Sequence, residues 1–220
     1  MSSSRLPKKA LLPILGVPLI ERVIQQLIPL GKKYKIVLLT SDQKDDDDLA
    51  EVAVRNGIDY FRGSLHDVAK RTVQALKYYR ADSFARVNGD CPIQKIELIE
   101  EAFERLERLE CEIVSNVFKR TFPYGISAEV MDGKTFKSNY KHFNNSDKEN
   151  IFNYFYRNSK GFDISCVILK QNSFDRSVTL TVDDKKTYDR MVRLFEDQPE
   201  VHKKSISEIV KIYKTIIQHD

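Results

Sequence analysis

The chain predicts an α/β fold, a mostly parallel sheet covered by helices on both faces. Three observations carry this reading. Apolar, β-branched runs of strand length alternate with segments of helical period from Lys35 onward. Turn residues close each run. Polar residues and glycines stand just after the strands, where ligands gather in open α/β sheets.

Residues 35–41 (KIVLLTS) read as a buried parallel strand ending in turn residues. Residues 45–56 follow as a helix, with Leu49, Val52 and Ala53 on one face and Gly57 at the position of a C-cap glycine. The aspartates at 45–48 read as a solvated helix start, favoured by the macrodipole. Residues 59–62 form a short strand, which leads through Gly63 and Ser64 into a helix from about 67 to 79. The next strand, 83–88 (SFARVN), closes on Gly89, Asp90, Cys91 and Pro92. Residues 96–109 make an amphipathic helix, with Glu101 and Arg105, and Glu104 and Arg108, at i,i+4 spacing. Residues 111–116 are strand-like again.

From 117 to about 172 the alternation breaks. This stretch holds the turn-rich RTFPYG, a strand at 127–131, aromatic-rich helical segments around Tyr140 and around Tyr154, Phe155 and Tyr156, and a strand at 162–169. We expect it to be a small sugar-side insertion in a single domain spanning 1–220, with its aromatic rings available to pack a homodimer partner. A strand at 178–182 and helices near 185–196 and 205–217 complete the pattern.

Bulk properties exclude several classes. With 220 residues the chain buries about 70–75% of its unfolded surface and needs no staples. The three cysteines, Cys91, Cys111 and Cys166, fit neither a disulfide framework nor a CxxC metal pattern and read as reduced, packed thiols. No apolar run reaches a membrane span, and no signal-peptide core follows Met1, so a cytoplasmic protein without membrane insertion is expected. The formal charge of +4 comes from scattered Lys and Arg with no basic stripe, which argues against nucleic acid as partner.

The chemistry-bearing residues lie at strand ends. Residues 2–9 (SSSRLPKK) combine small hydroxyl residues, Ser3 and Ser4 among them, with the cations Arg5 and Lys9. A triphosphate needs both close backbone approach and neutralising charge; taken alone, the stretch also reads as a basic N-terminal tail. Asp90, in VNGDCP, and Asp183, in VTLTVDD, each offer one carboxylate. Two such groups on neighbouring strand ends can share one Mg²⁺ and leave positions open for phosphate oxygens. The other reading is that both merely terminate strands.

Six ordered stretches sharpen the picture: SSSRLPKKALLPILGVPLIERVIQQL, LLTSDQKDDDDLAE, YFRGSLHDVAKR, ARVNGDCPI, VSNVFKRTFPYGISAEV and LTVDDKKTYDRM. Together they resemble the spore-coat polysaccharide cytidylyltransferases, and more distantly the CMP-acylneuraminate and CMP-deoxyoctulosonate synthetases, from Met1 to about Asp197. The resemblance implies a Rossmann-like fold, CTP and a sugar acceptor as partners, Mg²⁺ as cofactor, and transfer of CMP with release of pyrophosphate. It implies triphosphate binding by Arg5 and Lys9, metal binding by Asp90 and Asp183, a cytosine pocket lined by Thr40 and Ser41, and contact of Arg71 with the nucleotide or sugar. It places Arg120 and Glu129 in a sugar-side pocket. A surface ion pair for Arg71 and a structural carboxylate for Glu129 stay open.

Several positions depart from the family. Its RLPGK glycine is Lys8, its sugar-side acids are Tyr124 and Ser127, its histidine is Asn150, and Lys95 replaces an aspartate. The family also has an apolar strand before the stretch that begins here at Met1. We expect the strands at 35–41 and 83–88 to flank its vacated place, leaving a gap, or to pair directly. Two rivals stand beside the enzyme: a non-catalytic nucleotide- or sugar-binding homologue, and a metal-dependent glycosyltransferase, for which the expected DxD pair is missing.

Overall fold

A type I′ hairpin opens the fold, in a computed structural model that describes residues 5–169, 175 and 177–218. Strands β1 (Pro13–Ile14) and β2 (Val17–Pro18) pair antiparallel. The two residues between them, Leu15 and Gly16, both have positive φ, which is what such a two-residue turn demands. Helix α1 (Leu19–Leu27) buries Leu19, Ile20, Val23, Ile24 and Leu27, an i, i+4, i+8 stripe facing the core. Then come β3 (Val37–Ser41), α2 (Asp47–Arg55), β4 (Asp59–Gly63), α3 (Val68–Tyr78), β5 (Ser83–Arg86), α4 (Ile96–Leu109) and β6 (Ile113–Ser115). Gly57, past α2, has φ 67, and Glu101 bonds Arg105 on α4 as the i,i+4 spacing predicts.

The segment after 117 supplies β7 (Glu129–Asp132), α5 (Gly133–Asn139), α6 (Asn145–Glu149), α7 (Asn153–Arg157) and β8 (Ile164–Cys166). It therefore provides two of the four strands of the larger sheet, ordered β5-β7-β6-β8. Strand β7 runs antiparallel to both of its neighbours and β8 parallel to β6, so β5 and β6 are parallel with a reversed strand between them. The sheet is mixed. Strands β3 and β4 pair parallel in a second sheet. Among the described residues no ladder joins β3 to β5, so of the two expected outcomes the structure has the gap.

Residues 178–182 keep the side-chain period of a strand, with Val178, Leu180 and Val182 fully buried. They form no ladder, however. Leu180 N donates to Tyr124 O at 2.8 Å and Val182 N to Asp90 O at 2.8 Å, so the backbone bonds go to two different loops. The chain ends in α8 (Lys185–Asp197) and α9 (Ile206–Gln218). No helix among the described residues is long and apolar enough to cross a membrane.

The main core joins α1, α4, α8 and α9 to the inner face of residues 122–130 and 178–182. A second core is aromatic: it buries Phe136, Phe143, Phe152 and Phe155, with Phe143 edge to face against both Phe136 and Phe155. Phe155 is fully buried there, Tyr154 packs against Phe143, and the Tyr156 hydroxyl donates to Glu129. Tyr154 and Tyr156 are half-buried beside this core.

Candidate active site

The site is built where the loop after β5, residues 5–11 and the stretch before α8 converge. Lys8 adopts the left-handed conformation, φ 54, and turns the chain into a 3₁₀ turn at Lys9–Leu11 that aims Lys9 inward. A glycine suits that conformation best, which explains the family residue that Lys8 replaces. The loop at 89–94 is held from α1: Gln26 Nε2 donates to Pro92 O at 2.8 Å, and Gln94 N to Gln26 Oε1 at 2.9 Å. Asp183 is fixed by α8. Its amide donates to Thr187 Oγ1, within a capping box that Asp184 and Thr187 make, and its Oδ2 accepts from Thr181 Oγ1 at 2.7 Å.

These supports bring four sequence-predicted residues together. Lys9 Nζ donates to Asp90 Oδ2 at 2.7 Å and to Val182 O at 2.9 Å, and lies 3.6 Å from Asp183 Oδ1. Arg5 reaches Asp183 Oδ1 from the solvent side at 3.7 Å. Two carboxylates that touch one ammonium are close enough to share a hydrated cation. Among the described residues there is no group of three or more His, Cys, Asp or Glu that could hold a metal ion. Cys91 beside them is buried, and burial, with Asp90 next to it, pushes its thiol well up. A protonated thiol is a poor nucleophile.

Lys9 also lines a cleft of about 450 Å³ with Thr40, Asp46, His66, Arg71 and Glu149. Arg71 Nη1 donates to Ser64 O at 3.1 Å, while its buried Nε has no partner. Burial lowers the guanidinium pKa, against the pull of Asp46 and Asp42. Thr40 reaches the cleft, but Ser41 does not. Successive residues of a strand face opposite ways, and the fully buried Ser41 hydroxyl accepts from Gln43 N instead.

Asp46 corrects the reading of 45–48 as a solvated run. It is 4% exposed, and its Oδ2 accepts from Thr40 Oγ1 and Ser41 N, both at 3.0 Å. Ser3 and Ser4 lie outside the described residues.

Arg120 and Glu129 do not line this cleft. Glu129 stands in one register row across the larger sheet, with Arg86 on one side and Ser115 on the other. The Tyr156 hydroxyl sits 2.5 Å from Glu129 Oε1 and 2.6 Å from Ser115 Oγ. Burial raises the Glu129 pKa, opposed by Arg86, the Tyr156 hydrogen bond and Arg120. Arg120 lies over the Tyr124 ring at 4.9 Å and donates to Pro123 O. Arg86 and Tyr156 escape the sequence reading; the strand-end position of Arg86 is the one signal that marks it. Lys95 Nζ donates to the carbonyls of His202 and Lys204, ahead of α9.

The geometry agrees with comparisons across known proteins. A family model of cytidylyltransferases matches residues 1–216. The chain belongs to the cytidylyltransferase family. It is similar to the spore coat polysaccharide biosynthesis protein SpsF of Bacillus subtilis, 24% identical over 220 residues, 96% of this chain and 90% of that one. A cytidylyltransferase structure from Leptospira borgpetersenii superposes with a TM-score of 0.88 at 25% identity, covering all of this chain and 94% of that one. A CMP:2-keto-3-deoxy-manno-octonic acid synthetase complexed with CTP shares the fold, with a TM-score of 0.63 at 13% identity over 89% of this chain and 95% of that one. In this cytidylyltransferase-family chain, the cation and carboxylate cluster and the neighbouring cleft share one side chain, Lys9.

Proposed function

We propose that this chain transfers CMP from CTP to a sugar hydroxyl and releases pyrophosphate, with Mg²⁺ as cofactor. The observation that carries the reading is Lys9, which touches both Asp90 and Asp183 and also lines the adjoining cleft. The donor set fits the ion: two hard carboxylates with a cation already between them suit Mg²⁺, which keeps several waters and takes one or two protein oxygens. Held by Asp90 and Asp183, the ion would supply positive charge to the phosphate oxygens.

The chain's own residues do the rest. Lys9 and Arg5 neutralise the phosphates, the cleft beside Thr40 receives the base, and Arg71 lines that cleft with its charge. The acceptor hydroxyl attacks the α-phosphorus in line, so one P–O bond forms as the bond to pyrophosphate breaks. Positioning and charge supply the acceleration, without a covalent intermediate. The link to polysaccharide biosynthesis in the name of SpsF supports a sugar as acceptor.

The test is pyrophosphate release from CTP over a panel of sugars. Asp90→Asn is expected to lower turnover by at least about 10²-fold, because the charge held at the α-phosphate is lost. Circular dichroism should show an unchanged fold, since this side chain is part-exposed. An active variant with the wild-type magnesium dependence would sink the reading.

A further inference from the structure

We propose that Lys9 is a placeholder cation. In the nucleotide-free protein its ammonium neutralises Asp90 and Asp183, and a divalent cation takes that position only together with the triphosphate. This rests on the nucleotidyl-transfer reading, because the triphosphate is what draws Lys9 away.

The contacts of one nitrogen carry the inference. Lys9 Nζ donates two hydrogen bonds, to Asp90 Oδ2 and Val182 O at 2.7 and 2.9 Å, and stands 3.6 Å from Asp183 Oδ1 as an ion pair. With Arg5 on the outer side of Asp183, two positive and two negative charges cancel within one cluster. The Lys9 side chain is only 21% exposed. A metal ion that entered alone would have to expel the ammonium and leave it part-buried without an anion, a costly state. A triphosphate removes that cost: it offers Lys9 and Arg5 new oxygens and brings phosphate ligands to the metal.

Metal and nucleotide should therefore bind with positive coupling, each strengthening the other by the same factor. Replacing Lys9 should open the carboxylate pair to metal without nucleotide.

Mn²⁺ serves as the probe, with its unbound fraction read by electron paramagnetic resonance. Wild-type protein should bind Mn²⁺ at least about 10-fold more tightly with CTP than without it. Lys9→Met, which keeps the aliphatic stem, should bind Mn²⁺ without nucleotide at least about 5-fold more tightly than wild type. Lys9→Arg keeps the charge and should show no gain, and adding Asp90→Asn to Lys9→Met should erase it. The proposal is overturned if wild type binds Mn²⁺ equally with and without CTP, a comparison that needs no variant, or if folded Lys9→Met gains nothing. Failure of the transfer reading has a different signature: CTP does not bind wild type in equilibrium dialysis, whatever the variants do with Mn²⁺.

Discussion

Lys8 shows how one backbone conformation decides a substitution. A non-glycine residue at φ 54 holds the left-handed region at a cost of about 1–2 kcal/mol, partly offset by the chain entropy that glycine would lose. Lys8→Gly is expected to stabilise the protein by about 0.5–1 kcal/mol, measured as a rise in the urea midpoint at constant m-value. A loss of stability would mean that the Lys8 side chain contributes more than its backbone costs. The same scale separates Asp46 from its neighbours. Four aspartates in a row are equivalent as sequence; the Thr40 hydroxyl and the Ser41 amide, both at 3.0 Å, hold one of them in a buried place.

Among the elements, the stretch 178–183 matters most because it sets the distance between the two aspartates. Its alternation of buried Val178, Leu180 and Val182 was readable as a strand, and that burial is real. What replaces the ladder is a contact with the loop around Gly125. Gly125 has φ 95, and a Cβ there would stand 2.5 Å from the Leu180 backbone. Gly125→Ala is therefore expected to cost about 2–4 kcal/mol, from overpacking together with strain at positive φ. Because Leu180 leads directly to Asp183, CTP-dependent Mn²⁺ binding should weaken in parallel. A variant with wild-type stability would show that this loop moves freely away from the 178–183 stretch.

For the whole molecule, the main core makes the C-terminal helix part of the site's foundation. Tyr213 on α9 is fully buried with Ile209, in the core that also takes Leu194 and Phe195 of α8. Tyr213→Ala is expected to lower stability by about 3–5 kcal/mol in urea denaturation, as for other large core truncations. A change under about 1 kcal/mol would show that α9 is dispensable. Helices were legible wherever one face is apolar, as in the exact match at Ile96–Leu109, because burial of one stripe enforces a period along the chain. Asp90, Asp183 and Lys9 were readable as candidates because a triphosphate calls for cations and a metal ion for carboxylates. The chain by itself thus determined the alternation of strands and helices, the family, and the cation and carboxylate types at the site. Only the tertiary structure decided that β7 runs reversed between β5 and β6, that Ser41 turns away from the cleft, and that Lys9 sits between both carboxylates. Periodicity records which face of a segment is buried, whereas pairing partners and charge contacts between residues 81 or 174 positions apart depend on packing, which no local pattern encodes.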